Sequence, residues 1–456
     1  MAMSPYPSYI ETDIEWFQKI PEHWSLMRLK WTNDDIKNGV WGGEKNGIDD
    51  LVCIRVADFD RSKLLVDDSR LTLRSIEEKE RAGRLLKRGD LLLEKSGGGE
   101  MQLVGAVIQF DKDYDAVTSN FIARLSVARD FFSRYLTYLH AYLYSINLTY
   151  RSIKQSTGIQ NLDSGFYFNE VIAIPSLQEQ TKIASFLDFK TAQLDCLIEK
   201  KKVLIEKLNE QRIAVITQAV TKGLKPDVLM KNSEIEWLGE VPEHWNVLKL
   251  RFLGECQNGI NIGAEYFGRG YPFVSYGDVY NNRQLPREVK GLVESSENDR
   301  KLFSVNTGDI LFTRTSETIE EIAMASVCMK SIEDSAFAGF LIRFRPHQDG
   351  LIKEFSEYYF QNALLRAFFV KEMNLVTRAS LSQELLKNLP VLLPPQNEQK
   401  AIADYLGGVV KKIDGMVTLN QQTIEKLEEY RTALITAAVT GKIDVRNAEI
   451  PDQDTA

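Results

Sequence analysis

Cysteine is scarce: Cys53, Cys196, Cys256 and Cys328 are the only four in 456 residues, and none stand at CxxC spacing. A disulfide scaffold or a zinc knuckle is therefore not expected, and a reducing cytoplasm is the default compartment. Histidine is equally sparse, with four residues, too few to build much catalysis. No run of eighteen apolar residues occurs, which rules out a membrane-spanning helix. Residues 1–15 carry acidic side chains and two prolines where a signal peptide would need a basic start and an apolar core. No GxxxxGK[ST] loop exists, so a nucleotide motor is excluded. Excess positive charge is missing too, the net charge being −8. That argues against a chain coated in basic groups, although a local basic groove can sit on an acidic body. What remains is an ordinary globular composition, 44% hydrophobic and 26% charged, with length for two or three domains.

The chain is a duplication, the feature to seek before any other. Residues 15–31 read EWFQKIPEHWSLMRLKW and residues 236–252 read EWLGEVPEHWNVLKLRF, identical at seven of seventeen positions with an offset of 221. At an offset of 219, Gly89-Asp90-Leu91-Leu92 matches Gly308-Asp309-Ile310-Leu311. The same register pairs Phe121 and Arg124 with Phe340 and Arg343, Glu179-Gln180 with Glu398-Gln399, and Asp195 with Asp414. It runs on to Arg212 with Arg431 and to Ala219-Val220-Thr221 with Ala438-Val439-Thr440. Within each copy, an irregular stretch of short apolar runs broken by Gly, Asp and Asn reads as a mixed domain with several short strands. Each carries one expected helix, near Phe131–Tyr150 and near Ile352–Val370.

The segments 177–222 and 396–440 differ, with no proline and apolar residues at helical spacing. A heptad frame fits both. The first seam holds Leu187, Leu194, Ile198, Ile205 and Leu208; the second holds Leu406, Ile413, Val417, Ile424 and Leu427. Polar Lys201 and Asn420 share one seam position, where a coiled coil sets register at some cost in stability. A helix of roughly 40 residues rises about 60 Å, too long to lie on one small domain. Either each helix packs on its own domain, or the two pair and hold the domains apart. Tandem copies pair most simply about a pseudo-two-fold axis, which makes the helices antiparallel.

A search for catalytic chemistry finds none. His23 and His244 each stand in Pro-Glu-His-Trp, where the tryptophan anchors the segment entering each domain and the histidine fills a local hydrogen bond. No cysteine or second histidine accompanies His140 or His347, so a metal cluster is unsupported. The Leu393-Pro394-Pro395-Gln396 segment lacks the residues an adenine methyltransferase needs on either side. Glu199-Lys-Lys201 has a nuclease spacing but falls on the long helix, and Glu94 and Lys95 are adjacent, so on a strand they point to opposite faces. Recognition loops are better candidates. Lys95, Ser96 and Gly97 follow the first Gly-Asp turn and strand, and Arg314, Thr315 and Ser316 follow the second. Each set puts a base beside a hydroxyl on a small-residue loop, able to reach phosphates and base edges. A second pair of polar loops carries Thr157 and Gln160 in one copy and Arg378 and Ser380 in the other. The plainer alternative for these loops is an ordinary hairpin turn.

Two variable domains, each followed by a helix introduced by IPSLQEQTKIASFLD or LPPQNEQKAIADYL and ending in QAVTKG or AAVTGK, complete a recognisable pattern. With the GDLLLEKSG and GDILFTRTS turns and both PEHW segments, the chain resembles a type I restriction-modification specificity subunit over essentially its whole length. The resemblance implies an α+β fold: two tandem mixed α/β target-recognition domains separated by two long helices forming an antiparallel coiled coil, pseudo-two-fold symmetric. Residues 1–176 would be the first recognition domain, 177–225 the first spacer helix, 226–395 the second domain, 396–445 the second helix and 446–456 a tail. It further implies a non-catalytic, cytoplasmic DNA-binding subunit without a cofactor of its own. Each domain would read one half of a bipartite duplex site. The helices would dock two methyltransferase subunits, which restriction subunits then join. S-adenosylmethionine, ATP and Mg belong to those partners. Readings from other classes, a single-chain nuclease or methyltransferase and a protein-binding adaptor, stay open at this stage.

Overall fold

A computed structural model describes residues 4–97, 102–156, 158–316, 321–372 and 379–450. It divides into two compact units, Met1–Lys201 with Gln422–Ala456, and Lys202–Gln421. The dividing points fall inside the two long helices, Leu177–Lys222 and Gln396–Val439. Each unit thus owns one globular domain, half of the helix that follows or precedes it, and the opposite half of the other, as an antiparallel pair requires. The helices begin where the repeat pattern places them, and the second domain's other expected helix does not survive intact. Between Ile352 and Val370 the chain makes two helices, Lys353–Tyr359 and Leu365–Glu372. Buried Asn362 causes the break: its side-chain N–H donates to the Tyr359 carbonyl and its side-chain oxygen accepts from the Leu364 amide, satisfying the groups freed between the two helices.

In the first unit, strands Asn33–Asn38, Ile122–Val127, Leu91–Glu94 and Val107–Gln109 lie side by side and antiparallel, with Leu65–Val66 and Phe59–Asp60 added at one edge. The second unit repeats the first four as Gly254–Asn258, Leu341–Pro346, Ile310–Thr313 and Ala325–Val327. The Gly-Asp turn introduces the central strand in both. Gly89 and Gly308 sit at φ +98° and +91°, where a side chain would be strained. Asp90 and Asp309 then accept the backbone amides of Lys87 and Asn306 at 2.8 and 2.7 Å, closing the turn.

The central strand is buried on both faces, so its residues read as a continuous apolar run. Successive side chains alternate between two cores. Leu91 and Leu93 join one cluster and Leu92 another; Ile310 and Phe312 join one and Leu311 another. The first cluster in the first unit also takes in Tyr135, Leu139, Ile183, Leu187, Leu434 and Ala438. It is this cluster that seats the domain on the start of one long helix and the end of the other. Ile402, Leu406, Val410, Ile216, Ala219 and Val220 play the same part in the second unit.

The first turn of each long helix carries the polar half of that junction. Glu179 is buried and receives the Tyr6 hydroxyl at 2.6 Å, the Trp24 indole N–H at 3.1 Å and the His23 ring at 2.8 Å. Glu398 receives the Trp245 indole N–H at 2.9 Å and the His244 ring at 2.7 Å. The duplicated Pro-Glu-His-Trp segment thus supplies two donors to one carboxylate in each copy. The next residue is as fixed. Buried Gln180 accepts the Phe132 amide at 2.9 Å and donates to the Pro175 carbonyl; buried Gln399 accepts the Ile352 amide at 2.9 Å and donates to the Pro394 carbonyl.

Burial along the helices follows the heptad frame. Leu187, Thr191, Ile198, Leu208 and Ala219 are buried on the first, and Leu406, Val410, Ile413, Asn420, Ile424, Leu434 and Ala438 on the second. The remaining seam positions, including Leu194, Ile205, Val417 and Leu427, are half-buried, and the flanking positions are mostly exposed. Asp195 pairs with Arg431 in the first unit, and Arg212 pairs with Asp414 at 2.8 Å in the second. These are one interaction made twice, since Asp195 matches Asp414 and Arg212 matches Arg431 in the duplication. Past the end of the second helix at Val439 the chain stays packed. Val445 is buried in the first unit's core, and the Asp444 amide donates to the Ser4 carbonyl at 2.9 Å.

Two outcomes follow. Glu179→Ala should cost about 3 kcal/mol, because it strands two buried donors, the Tyr6 hydroxyl and the Trp24 indole, at once, and Glu398→Ala should cost less because that carboxylate is more exposed; thermal unfolding of the two variants compares them. Buried His140, hydrogen-bonded to Tyr167 at 2.7 Å, has its pKa pushed down to about 3 by loss of solvation. The unfolded chain takes up that proton near pH 6.5, so the stability held above this value falls as the pH drops toward 3, by up to about 1.4 kcal/mol per unit. Urea titrations at pH 7, 6 and 5 should show a shallower decline for His140→Phe than for the wild type.

Candidate nucleic-acid interface

In each unit, the central strand runs out of the main sheet directly into the candidate loop. The Lys95 amide donates to the Phe121 carbonyl at 2.8 Å, and the Lys95 carbonyl accepts from Leu162 at 2.7 Å. The Arg314 amide donates to the Phe340 carbonyl at 2.9 Å, and the Arg314 carbonyl accepts from Leu381 at 2.7 Å. The two basic residues therefore occupy one backbone frame, made twice.

Beyond this frame, the two loops picked out separately in each copy come together. Ser96–Gly97 pairs antiparallel with Ile159–Leu162, setting Ser96 opposite Asn161 and Gly97 opposite Gln160. Thr315–Ser316 pairs with Ala379–Ser380, setting Thr315 opposite Ser380 and Ser316 opposite Ala379. Lys95, Ser96, Gly97 and Gln160 thus share one small ribbon, and Arg314, Thr315, Ser316 and Ser380 share its counterpart. Thr157 and Arg378 lie outside the described residues.

Side-chain placement separates the candidates. Lys95 Nζ donates to Asn38 Oδ1 at 2.9 Å, and burial of its stem moves its pKa below the usual lysine value. Ser96 Oγ donates to Asn161 Oδ1 at 2.7 Å in an exposed setting. Arg314 is half-buried, with one terminal nitrogen 3.4 Å from the Gly339 carbonyl. Thr315 is half-buried and Ser380 exposed. Gln160 and Ser316, by contrast, are turned inward. Gln160 is buried and accepts the Val104 amide at 3.1 Å; Ser316 is buried and donates to Glu321 at 3.0 Å. Their positions are on the ribbon, but their polar groups are committed to the fold.

Sequence reading passed over other groups at this surface. Phe121 and Phe340, whose carbonyls hold the basic residues, leave their rings exposed. In the first unit a cleft of about 370 Å³ is lined by Trp41, Arg55, Ser96, Asn120 and Phe121 among others. Phe121 was visible in the duplication as one half of a matched pair; nothing in the local sequence marked Asn38, Trp41 or Asn161.

The acidic groups nearby are spoken for. Glu94 is buried against Arg61 at 2.7 Å, with burial pushing its pKa up, and Asp90 closes its turn. Glu199 is exposed on its helix. Among the described residues no group of three or more His, Cys, Asp or Glu is placed to hold a metal ion, and no helix is long and apolar enough to cross a membrane. What the two ribbons offer is recognition chemistry: an amine or guanidinium, hydroxyls, amides and an aromatic ring, presented on a fixed frame.

A family model described as the type I restriction modification DNA specificity domain matches residues 75–207 and again 242–429. The type I restriction enzyme MjaVIII specificity subunit of Methanocaldococcus jannaschii is 27% identical over 313 residues, covering 67% of this chain and 70% of its own length. The putative MjaX specificity subunit of the same organism is 24% identical and covers 94% of this chain and 95% of its own. The EcoKI specificity subunit of Escherichia coli K12 is 26% identical over 66% of this chain and 64% of its own. Among solved structures, one from work on complex assembly and conformational transition of the type I R-M system aligns with a TM-score of 0.65 at 15% identity, over 92% of this chain and 98% of that one. The crystal structure of the HsdS subunit from Thermoanaerobacter tengcongensis aligns at 0.52 and 14% identity, over 93% and 98%. At such identities the structural likeness speaks for the fold alone.

The inward and outward side chains should part in stability measurements. Gln160→Ala, which leaves the buried Val104 amide without its acceptor, should cost about 1–3 kcal/mol. Lys95→Ala, which removes a solvent-facing hydrogen bond, should stay within about 0.5 kcal/mol of the wild type. Thermal unfolding followed by circular dichroism checks both.

Proposed function

The chain belongs to the family of type I restriction-modification DNA specificity subunits, and from that premise we propose that its two domains read the two halves of one bipartite duplex site. It is a non-catalytic subunit: recognition is its part, and chemistry on the DNA falls to other chains. The observation that carries the reading is the pair of ribbons, one backbone frame bearing different side chains in each copy. Equivalent frames bring two domains to a duplex in the same manner, and dissimilar side chains then select dissimilar half-sites. Lys95 and Ser96 would serve one half. Arg314, Thr315 and Ser380 would serve the other. Gly97, Gln160 and Ser316 would shape the ribbons rather than touch bases. Contacts to phosphates would supply most of the affinity and its salt dependence.

In this reading the long helices set the distance between the half-sites, and their exposed faces dock two methyltransferase subunits, with restriction subunits joining the assembly. A partner that methylates an adenine with S-adenosylmethionine must take the base out of the stack. The recognition domains would hold the duplex while that happens. ATP and Mg would serve the restriction partners. The subunit would work where the chromosome is, in the cytoplasm.

Co-expression with the neighbouring methyltransferase, followed by single-molecule sequencing for N6-methyladenine, tests the proposal. The expected result is a two-part motif with a fixed gap that disappears when this chain is deleted. Arg314→Ala should weaken binding to one half-site by about 1–3 kcal/mol if the residue reads a guanine, and should relax the motif in that half only. Methylation that persists without this chain would refute the assignment.

A further inference from the structure

Phe121 and Phe340 hold the same place in the duplication. The two residues are 43% and 61% exposed, although the residues that follow, Ile122 and Leu341, are fully buried in the main sheet. Burying a phenylalanine contributes about 1.5–3 kcal/mol, and the fold forgoes much of this twice at one position. A single exposed ring is unremarkable on a protein surface. Recurrence is what marks this one, because its neighbours diverge: Asn120 faces Gly339 in the duplication, Ser96 faces Thr315, and Asn161 faces Ser380. Beside each ring stands a basic residue, Lys95 or Arg314, whose amide is held by that phenylalanine's own carbonyl. A basic group and an aromatic ring are thus kept as a unit while the polar groups around them change.

Residues that differ between the copies suit the parts of the two half-sites that differ. Residues that are kept suit what any two half-sites share, namely phosphates and the flat faces of bases. Stacking tolerates any sequence because every base presents such a face, and apolar side chains inserted at a base step open the stack and bend the duplex. Resting on the DNA-reading function above, we propose that Phe121 and Phe340 are a matched pair of wedges. Each stacks at a base step of its half-site, beside the Lys95 or Arg314 whose amide its own carbonyl holds. The ring supplies affinity and local deformation of the duplex, and the divergent residues around it, Lys95 against Arg314 among them, choose the sequence.

The test uses the complete methyltransferase complex with wild-type chain, Phe121→Ala, Phe340→Ala and the corresponding leucine variants. The duplex carries the mapped site, with 2-aminopurine replacing single purines in turn across each half. The wild type should raise fluorescence at a step in each half-site. Phe121→Ala should abolish the signal in one half and Phe340→Ala in the other, each weakening binding by about tenfold. The methylated motif should be unchanged, and leucine, which keeps the apolar bulk, should retain most of the affinity. Unchanged affinity and fluorescence in the alanine variants would overturn the wedge, and so would an altered motif, which would make the phenylalanines base readers. A wild-type complex with no salt-sensitive duplex binding would overturn the DNA-reading function as well, an outcome distinct from loss of the wedge alone.

Discussion

The polar anchor of each domain on its long helix is a pair of adjacent side chains in that helix's first turn. Glu179 gathers Tyr6, His23 and Trp24 onto one carboxylate, and Gln180 ties the segment entering the domain's own helix to the same turn. Glu398 and Gln399 do this again in the second copy. The location suits the chemistry, since a carboxylate in the first turn is favoured by the exposed amides and the helix dipole. It also suits the mechanics. A helix of 46 residues magnifies any tilt at its base, because it extends about 1.5 Å for every residue. A buried, multiply bonded carboxylate keeps its geometry where a solvent-exposed ion pair would not.

The duplication acts as a comparison built into one molecule. Turn glycines, turn aspartates, the junction carboxylates and amides, and the strand that alternates between two cores all recur. So does the frame that holds Lys95 and Arg314. These shared features are the ones a stable, correctly aimed domain needs whatever it reads. The ribbon's outward residues diverge, Ser96 meeting Asn161 in one copy and Thr315 lying opposite Ser380 in the other. The junction residues that recur and the outward ribbon residues that diverge are thus different sets.

The helices keep a similar division. Apolar seam residues are buried along both helices, and the reciprocal Asp195–Arg431 and Arg212–Asp414 pairs add charge of opposite sign at matched places. The polar seam residues Lys201 and Asn420 stand next to the points where the two compact units divide. Asn420 is buried and satisfies its amide on the Met416 carbonyl of its own helix at 2.8 Å. A polar group at such a position favours one register over alternatives at a cost in stability.

The duplication, the extent of both long helices and their heptad seams were legible from residue order, because each rests on local spacing: 3.6-residue periodicity, the absence of proline, and a register repeated 219 positions later. The same order exposed Pro-Glu-His-Trp and Glu-Gln as paired motifs, and placed the tryptophan and histidine as anchors. It could not reveal that these motifs bond to each other, for His23 and Glu179 are brought together across more than 150 residues. Tertiary structure alone joined Ser96 to Asn161, turned Gln160 and Ser316 inward, and left Phe121 and Phe340 in solvent. Whether a polar or aromatic side chain faces the core or the water depends on which strands become neighbours. That is settled by the packing of the whole domain, and no local pattern encodes it.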